Sequence, residues 1–559
     1  MLQRPDWDMQ PPVTRYYGGS DVTRQPGFCV NIRPPSNASE PVSRAFVTLL
    51  ERAFPEPGFG RLPKPSGHPV GPETWLEWLG YWHHRIVRFA GLPVFEAPKA
   101  LPSPDMPNYY LVYFPSYEGT ENASLSLLKW LLTVSMAPQT DTLVREAISS
   151  LETVMKPLAD CAPTSANISR FLFAAFEARL PVVSLGHHMF QIGIGASGVW
   201  FDSSFTSSTP VMSANLVRNK AATSDFLAKA GIPVPRQALI MEEVQLKPVA
   251  EALGFPLVCK PADLDGGKGV HLYLEDLPSL AEAFRQCREL TDQVLVQPQV
   301  QGRDYRLTVH RGECVWAIER VPASVIGNGK DTVSRLIERE NARPERSGTG
   351  LSPLKPLPGA ESAKDLLNAQ NLKPTSVPAT GQVVVLSHLP NVAAGGQPVP
   401  VYADIHPDNA ELAAKVARLC RLDLAGIDLI MPDISHSWRD IGAWVIEVNA
   451  QPDIGQTTAA HLYGKLLGRM LPEKPVEIRY VEGRERDAWG RGDRVSHKGL
   501  FWDGLSWQPL PDKTAERIAW ARQCLLDDQC QGVWLDEVSW KWFRQAATDL
   551  RIQWRPQED

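Results

Sequence analysis

The sequence predicts a mixed α/β (α+β) protein of several domains, on three observations. Its 559 residues exceed what one hydrophobic core holds, and a prior of about 150 residues per domain implies three or four units. Hydrophobic residues make up 43% and charged residues 21%, a globular rather than a disordered composition. Between about 166 and 470, short apolar runs of strand length alternate with segments of helical periodicity.

Three regions follow in order. Residues 1–165 are rich in proline and aromatics and read as an N-terminal α+β domain with a substrate-binding role. It has a strand at "YYLVYF" (109–114), a helix near 123–136, and loops at 55–72 and 97–107. Residues 166–472 contain the strands "LPVVSLG" and "PLVCKP" and the helices "NKAATSDFLAKAG" and "NAELAAKVARLC". The first of these helices, 219–230, ends at Gly231, a C-cap residue. Within this region, 341–378 is too rich in Pro, Gly and Ser for an ordinary connection and reads as lid-like. Residues 473–559 form a charged linker, "EGRERDAWGRGDR", and a small Trp-rich domain. No internal repeat is visible.

Net charge is −6 with a pI near 6.1, which gives no electrostatic footprint for nucleic acid. Neither a signal peptide nor a membrane span is expected. The eight cysteines, Cys29, Cys161, Cys259, Cys287, Cys314, Cys420, Cys524 and Cys530, are scattered without a CxxC. They are expected to be reduced thiols of a cytoplasmic protein.

Chemistry concentrates where apolar strands carry acids. In "WVIEVNAQPDIG" (444–455), Glu447 and Asn449 are two residues apart on one strand and so share a face. A carboxylate and an amide oxygen there suit a hard cation such as Mg²⁺. "AGIDLIMPD" places Asp428 in the same way on another strand. The alternative is that Asp428 and Glu447 are strand-end carboxylates paired with Lys or Arg. Upstream, "PLVCKPADLDGGKGV" puts Lys260 at a strand end before Gly266, Gly267, Lys268 and Gly269, a loop whose backbone N–H groups can approach phosphate. It is not a Walker A loop, and by itself such a loop is more often a plain turn than a site. Lys220, alone, reads as a surface lysine.

The order of these features resembles the ATP-grasp superfamily: Lys220, Lys260 with its glycine loop, "VLVQPQVQGRDYRLTV", Asp428, then Glu447-x-Asn449. The resemblance implies an ATP-grasp fold. It implies that Lys220 and Lys260 hold ATP phosphates beneath the 266–269 loop, and that the backbone near Val296–Val300 and Gln297 meets adenine. Asp304 would meet the ribose, and Asp428, Glu447 and Asn449 would hold two Mg²⁺ ions. The segments 190–235, 319–348, 391–409 and 74–93 resemble cyanophycin synthetases, and the similarity is expected to cover most of 15–470. The implied activity is ADP-forming peptide or isopeptide synthesis through an acylphosphate. Arg306 and Arg320 are the catalytic candidates, with ordinary surface arginines as the alternative.

Departures from that family bear on the substrate. Trp78, Tyr81 and Trp82 stand where relatives carry a zinc motif, so no zinc is expected, and His83 and His84 read as structural. The arginine-adding Mur-ligase-like module needs a GTNGKT loop; none occurs, and the tail reads as a degenerate remnant. Ser207, Gly395, Gly396 and Asp453 are the substrate candidates. Asp453 would contact an amino group of a diamino acid, or merely shape the turn after Pro452. The expected function joins an acidic amino acid to an amine-bearing one. A chain-elongating synthetase acting on a primer or β-linked dipeptide, and a non-catalytic ATP-binding regulator, are the alternatives. Amino-acid substrates, no nucleic acid, no membrane and, by family analogy, a homo-oligomer complete the expectation.

Overall fold

The computed structural model describes residues 7–16, 22–35, 44–54, 62, 64–65, 71–117, 119–135, 141–264, 267–346, 354–390, 392–471, 477–480, 500–502, 507–509, 514–526 and 532–535. The chain divides into two compact units, 1–203 with 463–559, and 204–462. Residues 166–203, grouped with the middle region in the sequence reading, thus fall in the first unit. No helix among the described residues is long and apolar enough to cross a membrane.

The first unit contains an antiparallel sheet in the order Asp8–Tyr16, Gly27–Arg33, Tyr110–Pro115, Lys99–Pro102. The helix Pro72–Phe89 has Pro at its first turn, where the missing N–H costs nothing, and buries Trp75, Trp78, Tyr81, Trp82, His83 and His84. The expected strand 109–114 and helix 123–136 appear as Tyr110–Pro115 and Glu121–Ser135. Val182–Gly186, Met189–Ile192 and Val199–Asp202 pair antiparallel in succession. Four short strands of the tail also pair, but the linker 481–499 and most of the Trp-rich segment lie outside the described residues.

The second unit holds three cores. In one sheet the order is His271–Leu274, Leu257–Pro261, Val294–Pro298, Ala238–Ile240. Leu257, Cys259, Val294 and Val296 bury one of its faces beneath the helices Leu246–Leu253 and Leu277–Arg288. The opposite face carries Val258, Lys260, Leu295 and Gln297, because side chains alternate along a strand. A second, five-stranded sheet has the order Gln397–Pro400, Glu313–Val321, Arg303–His310, Leu424–Met431, Trp444–Asn449. Here Tyr305, Leu307, Val309, Ala425, Ile427, Leu429, Val445 and Val448 pack with the helices Lys220–Lys229 and Pro407–Leu419. Every pairing in these two sheets is antiparallel. The alternation read from the sequence therefore reflects helices covering one face of antiparallel sheets.

The third core occupies the stretch expected to be lid-like. Leu357, Ala360, Ala363 and Leu367 join Val325, Val333, Ile337 and Val384 in a small cluster. The segment 354–378 is thus packed and includes the helix Lys364–Ala369. Residues 347–353 lie outside the described residues.

Candidate active site

Strand register builds a charged face on the five-stranded sheet. Arg306 pairs with Asp428, and Asp428 in turn pairs with Glu447. Since i and i+2 share a face, Asp304, Arg306, Gly426, Asp428, Glu447 and Asn449 all stand opposite the apolar core. A register shift after Asp428 leaves Ile446 as the extra residue of a bulge. The bulge keeps Val445 and Val448 on the core side while turning Glu447 and Asn449 to the charged side.

Three of these groups form one network with Arg320 of the strand Glu313–Val321. Arg306 donates from Nε to Asp428 Oδ1 and from Nη2 to Asp428 Oδ2, the latter at 3.1 Å. Arg320 donates to Asp428 Oδ2 at 2.9 Å and from Nε to Asp304 Oδ1 at 2.6 Å. Burial would raise the Asp428 carboxyl, but Arg306 and Arg320 outweigh it and hold the group below its ordinary value. Burial raises Asp304 above its ordinary value despite Arg320, with Asp428 adding to the rise. For Arg320, Asp428 and Asp304 together overcome burial and push the guanidinium up.

Two lysines reach the same region from other elements. Lys220 opens its helix behind the N-cap Asn219, whose side chain accepts from Ala222 N–H. Its Nζ lies 3.0 Å from Glu447 Oε1 and donates to the Leu264 carbonyl at 2.6 Å. Its backbone N–H donates to the Ala262 carbonyl, so the helix start is fastened to the chain that follows Lys260. Lys260 is 7% exposed. Burial, opposed by Glu447, reinforced by Lys220 and opposed again by Asp428, brings its ammonium down to about 8.

The remaining candidates divide. Gly267 and Gly269 both take positive φ, and a Cβ on Gly269 would lie 2.8 Å from Leu290 Cδ1. Lys268 is exposed beside them, and Gly266 lies outside the described residues. Gln297 is buried and donates to Gln237 Oε1 at 3.2 Å, while the Val300 carbonyl accepts from Gln299. Ser207 follows Thr206, which donates to Asp423 Oδ2 at 2.6 Å. Asp453 is exposed and accepts from Gly455 N–H at 3.1 Å, a turn-shaping bond. Gly395 and Gly396 sit by the third core, the Gly395 carbonyl accepting from buried Arg346. No hydrogen bond or ion pair among the described residues joins that pair to the charged face. In the first unit, His83 donates from Nε2 to the Ser124 carbonyl at 3.0 Å and packs its ring 4.8 Å from Phe114.

Asp428, Glu447 and Asn449 fit a hard divalent cation. All three offer oxygen from one sheet face, and the Asn449 side-chain nitrogen is buried without a hydrogen-bond partner among the described residues. Turned by 180° about its last bond, that amide would present its oxygen there as an acceptor. Sequence reasoning missed Gly426 and the pairing of Arg320 with Asp304. For Gly426 the signal was present, since it stands two residues before Asp428 on the same strand.

Residues 217–327 match the RimK-like ATP-grasp domain, a stretch that includes Lys220, Lys260, Asp304, Arg306 and Arg320, while Asp428, Glu447 and Asn449 lie beyond it. Cyanophycin synthetase from Nostoc sp. (strain PCC 7120 / SAG 25.82 / UTEX 2576) is 33% identical over 265 residues, 47% of this chain and 29% of that protein. Cyanophycin synthetase from Crocosphaera subtropica is 31% identical over 312 residues, 54% and 36% of the two chains. The glutathione biosynthesis bifunctional protein GshAB of Mannheimia succiniciproducens is 30% identical over 263 residues, 45% and 34%. The resemblance to cyanophycin synthetases is therefore borne out, over a shorter span than 15–470. The matched stretch spans about a third of the curated relatives' length.

Proposed function

We propose that the chain is an ADP-forming carboxylate–amine ligase that activates an acidic amino acid and joins it to an amine-bearing amino acid, giving a dipeptide or isopeptide. The observation that carries this is the convergence of Lys220, Lys260, Arg306 and Arg320 on Asp428 and Glu447. ATP-grasp ligases in general use ATP and Mg²⁺. The proposed residues for two such ions are Asp428, Glu447 and Asn449, and the metal supplies charge neutralisation at the phosphates.

In the first step a donor carboxylate oxygen attacks the γ-phosphorus, the bond to the β–γ bridging oxygen breaks, and ADP leaves. Lys220 and Lys260 bind the phosphate oxygens from two sides, and the 267–269 turn lays backbone N–H groups over them. In the second step the amine attacks the acyl carbon, phosphate departs, and the nitrogen loses a proton. Arg306 and Arg320 face the oxygens that gain charge in both steps. Within this reading Gln297 and Val300 border the adenine. Ser207 and Asp453 are proposed for the amine-bearing substrate, whose positive charge Asp453 would meet.

The test is phosphate release and product mass spectrometry with ATP, Mg²⁺ and pooled amino acids. A product whose mass is the sum of one acidic and one basic amino acid less water is the expected result. Turnover only with an oligomeric primer would replace the dipeptide product by chain elongation. Absence of ADP formation with every acid–amine pair would remove the ligase reading.

A further inference from the structure

The end of Arg306 is seated by a residue that has no side chain. Gly426 pairs with Thr308 on one side and Asn449 on the other, on the face shared with Arg306 and Asp428. A Cβ there would lie 2.9 Å from Arg306 Nη1, 3.2 Å from Arg306 Cδ and 2.9 Å from Pro452 Cβ. The first and last are closer than carbon tolerates, so any side chain at 426 must displace the guanidinium, the proline ring or both. The bare backbone lets the arginine stem lie across the strand toward Asp428, while Pro452 folds over the same spot from beyond Asn449.

Pro452 is itself fastened. Its carbonyl accepts from Ser204 Oγ at 2.7 Å, and Ser204 is fully buried. This bond ties the segment leading to Ser207 to the turn that carries Asp453.

We propose that Gly426, Pro452 and Ser204 are positioning residues: Gly426 seats the Arg306 guanidinium, and Ser204 holds the 451–455 turn against it. The turn then borders the place where Arg306 acts and selects the amine admitted there. This rests on the ligase reading for its substrate part and on packing alone for the seat.

Two experiments separate those parts. The first is a double-mutant cycle read by thermal unfolding. Gly426→Ala should lower Tm by several degrees, about the effect of 1–2 kcal/mol in a domain of this size, and by less than about half as much in an Arg306→Ala background. Equal losses in both backgrounds would overturn the seat. The second is steady-state kinetics. Gly426→Ala should lower kcat about tenfold or more with the KM for ATP within about twofold. Ser204→Ala should raise the KM for the amine about fivefold with the KM for ATP unchanged. If Ser204→Ala moves neither constant, or moves both KM values alike, the turn does not select the amine. If the wild type forms no ADP, the ligase reading and amine selection fall, and the unfolding cycle still decides the seat.

Discussion

Lys260 is the residue at which pH acts on the proposed site. Its ammonium is held to about 8 against an ordinary 10.5, with burial as the first cause. A depressed lysine carries its penalty in full below its folded value and sheds it as pH rises from about 8 to 10.5, so its own contribution to stability increases across that window. Phosphate binding needs the charged form. The kcat/KM for ATP should therefore fall as pH rises past about 8, and Lys260→Arg, whose charge persists, should flatten that limb. An unchanged alkaline limb in the arginine variant would assign the fall to another group. Asp304 offers a second measurement. Resemblance gives it the ribose, whereas its carboxylate accepts from Arg320 Nε at 2.6 Å. If orienting Arg320 is its larger role, Asp304→Asn should lower kcat about tenfold and change the KM for ATP much less. A KM change as large as the kcat change would favour the ribose. The lysines were legible in the sequence because their order relative to the acids is informative. The Arg320–Asp304 pairing was not, because it depends on the register of two strands.

At the scale of elements, legibility followed local pattern and failed where packing is long-range. "PLVCKP" and "WVIEVN" appear as the strands Leu257–Pro261 and Trp444–Asn449, and the helix read at 219–230 as Lys220–Lys229. The bulge at Ile446 left no trace in composition, yet it directs Glu447 and Asn449 to the charged face. The 354–378 stretch misled for the opposite reason. Its Pro and Gly content hid four apolar residues that find partners only when strand Val383–Val385 returns beside Ser324–Ile326. The helix Pro72–Phe89 yields a prediction of its own through His83, whose imidazole is pushed down to about 4 by burial, against the Ser124 hydrogen bond. The unfolded chain then binds the extra proton between pH 4 and 6.5, so stability is full above 6.5 and is lost as pH falls through that window. The loss is on the order of 3 kcal/mol. His83→Gln should show a smaller loss between pH 6.5 and 4 in denaturant titrations. An equal loss in both proteins would assign the acid sensitivity to other groups.

At the scale of the molecule, every group proposed to touch ATP belongs to the unit 204–462, and the two sheets that present them have their opposite faces sealed in separate cores. That separation lets ligand binding be read as a local change. A ligand that binds only the native state stabilises what it touches by mass action, and slows hydrogen exchange where opening would release it. With Mg²⁺ and a non-hydrolysable ATP analogue, exchange should slow in Leu257–Pro261, Gly267–Gly269, Val294–Pro298, Leu424–Met431 and Trp444–Asn449. The strands Gly27–Arg33 and Tyr110–Pro115 of the first unit should exchange as before, because none of the proposed nucleotide contacts lies there. Repeating the measurement with Lys220→Ala should reduce the slowing at Trp444–Asn449, since Lys220 is the cation that meets Glu447. Slowing spread evenly over both units would mean that the nucleotide acts on the whole chain, and slowing confined to the first unit would move the binding site off the charged face.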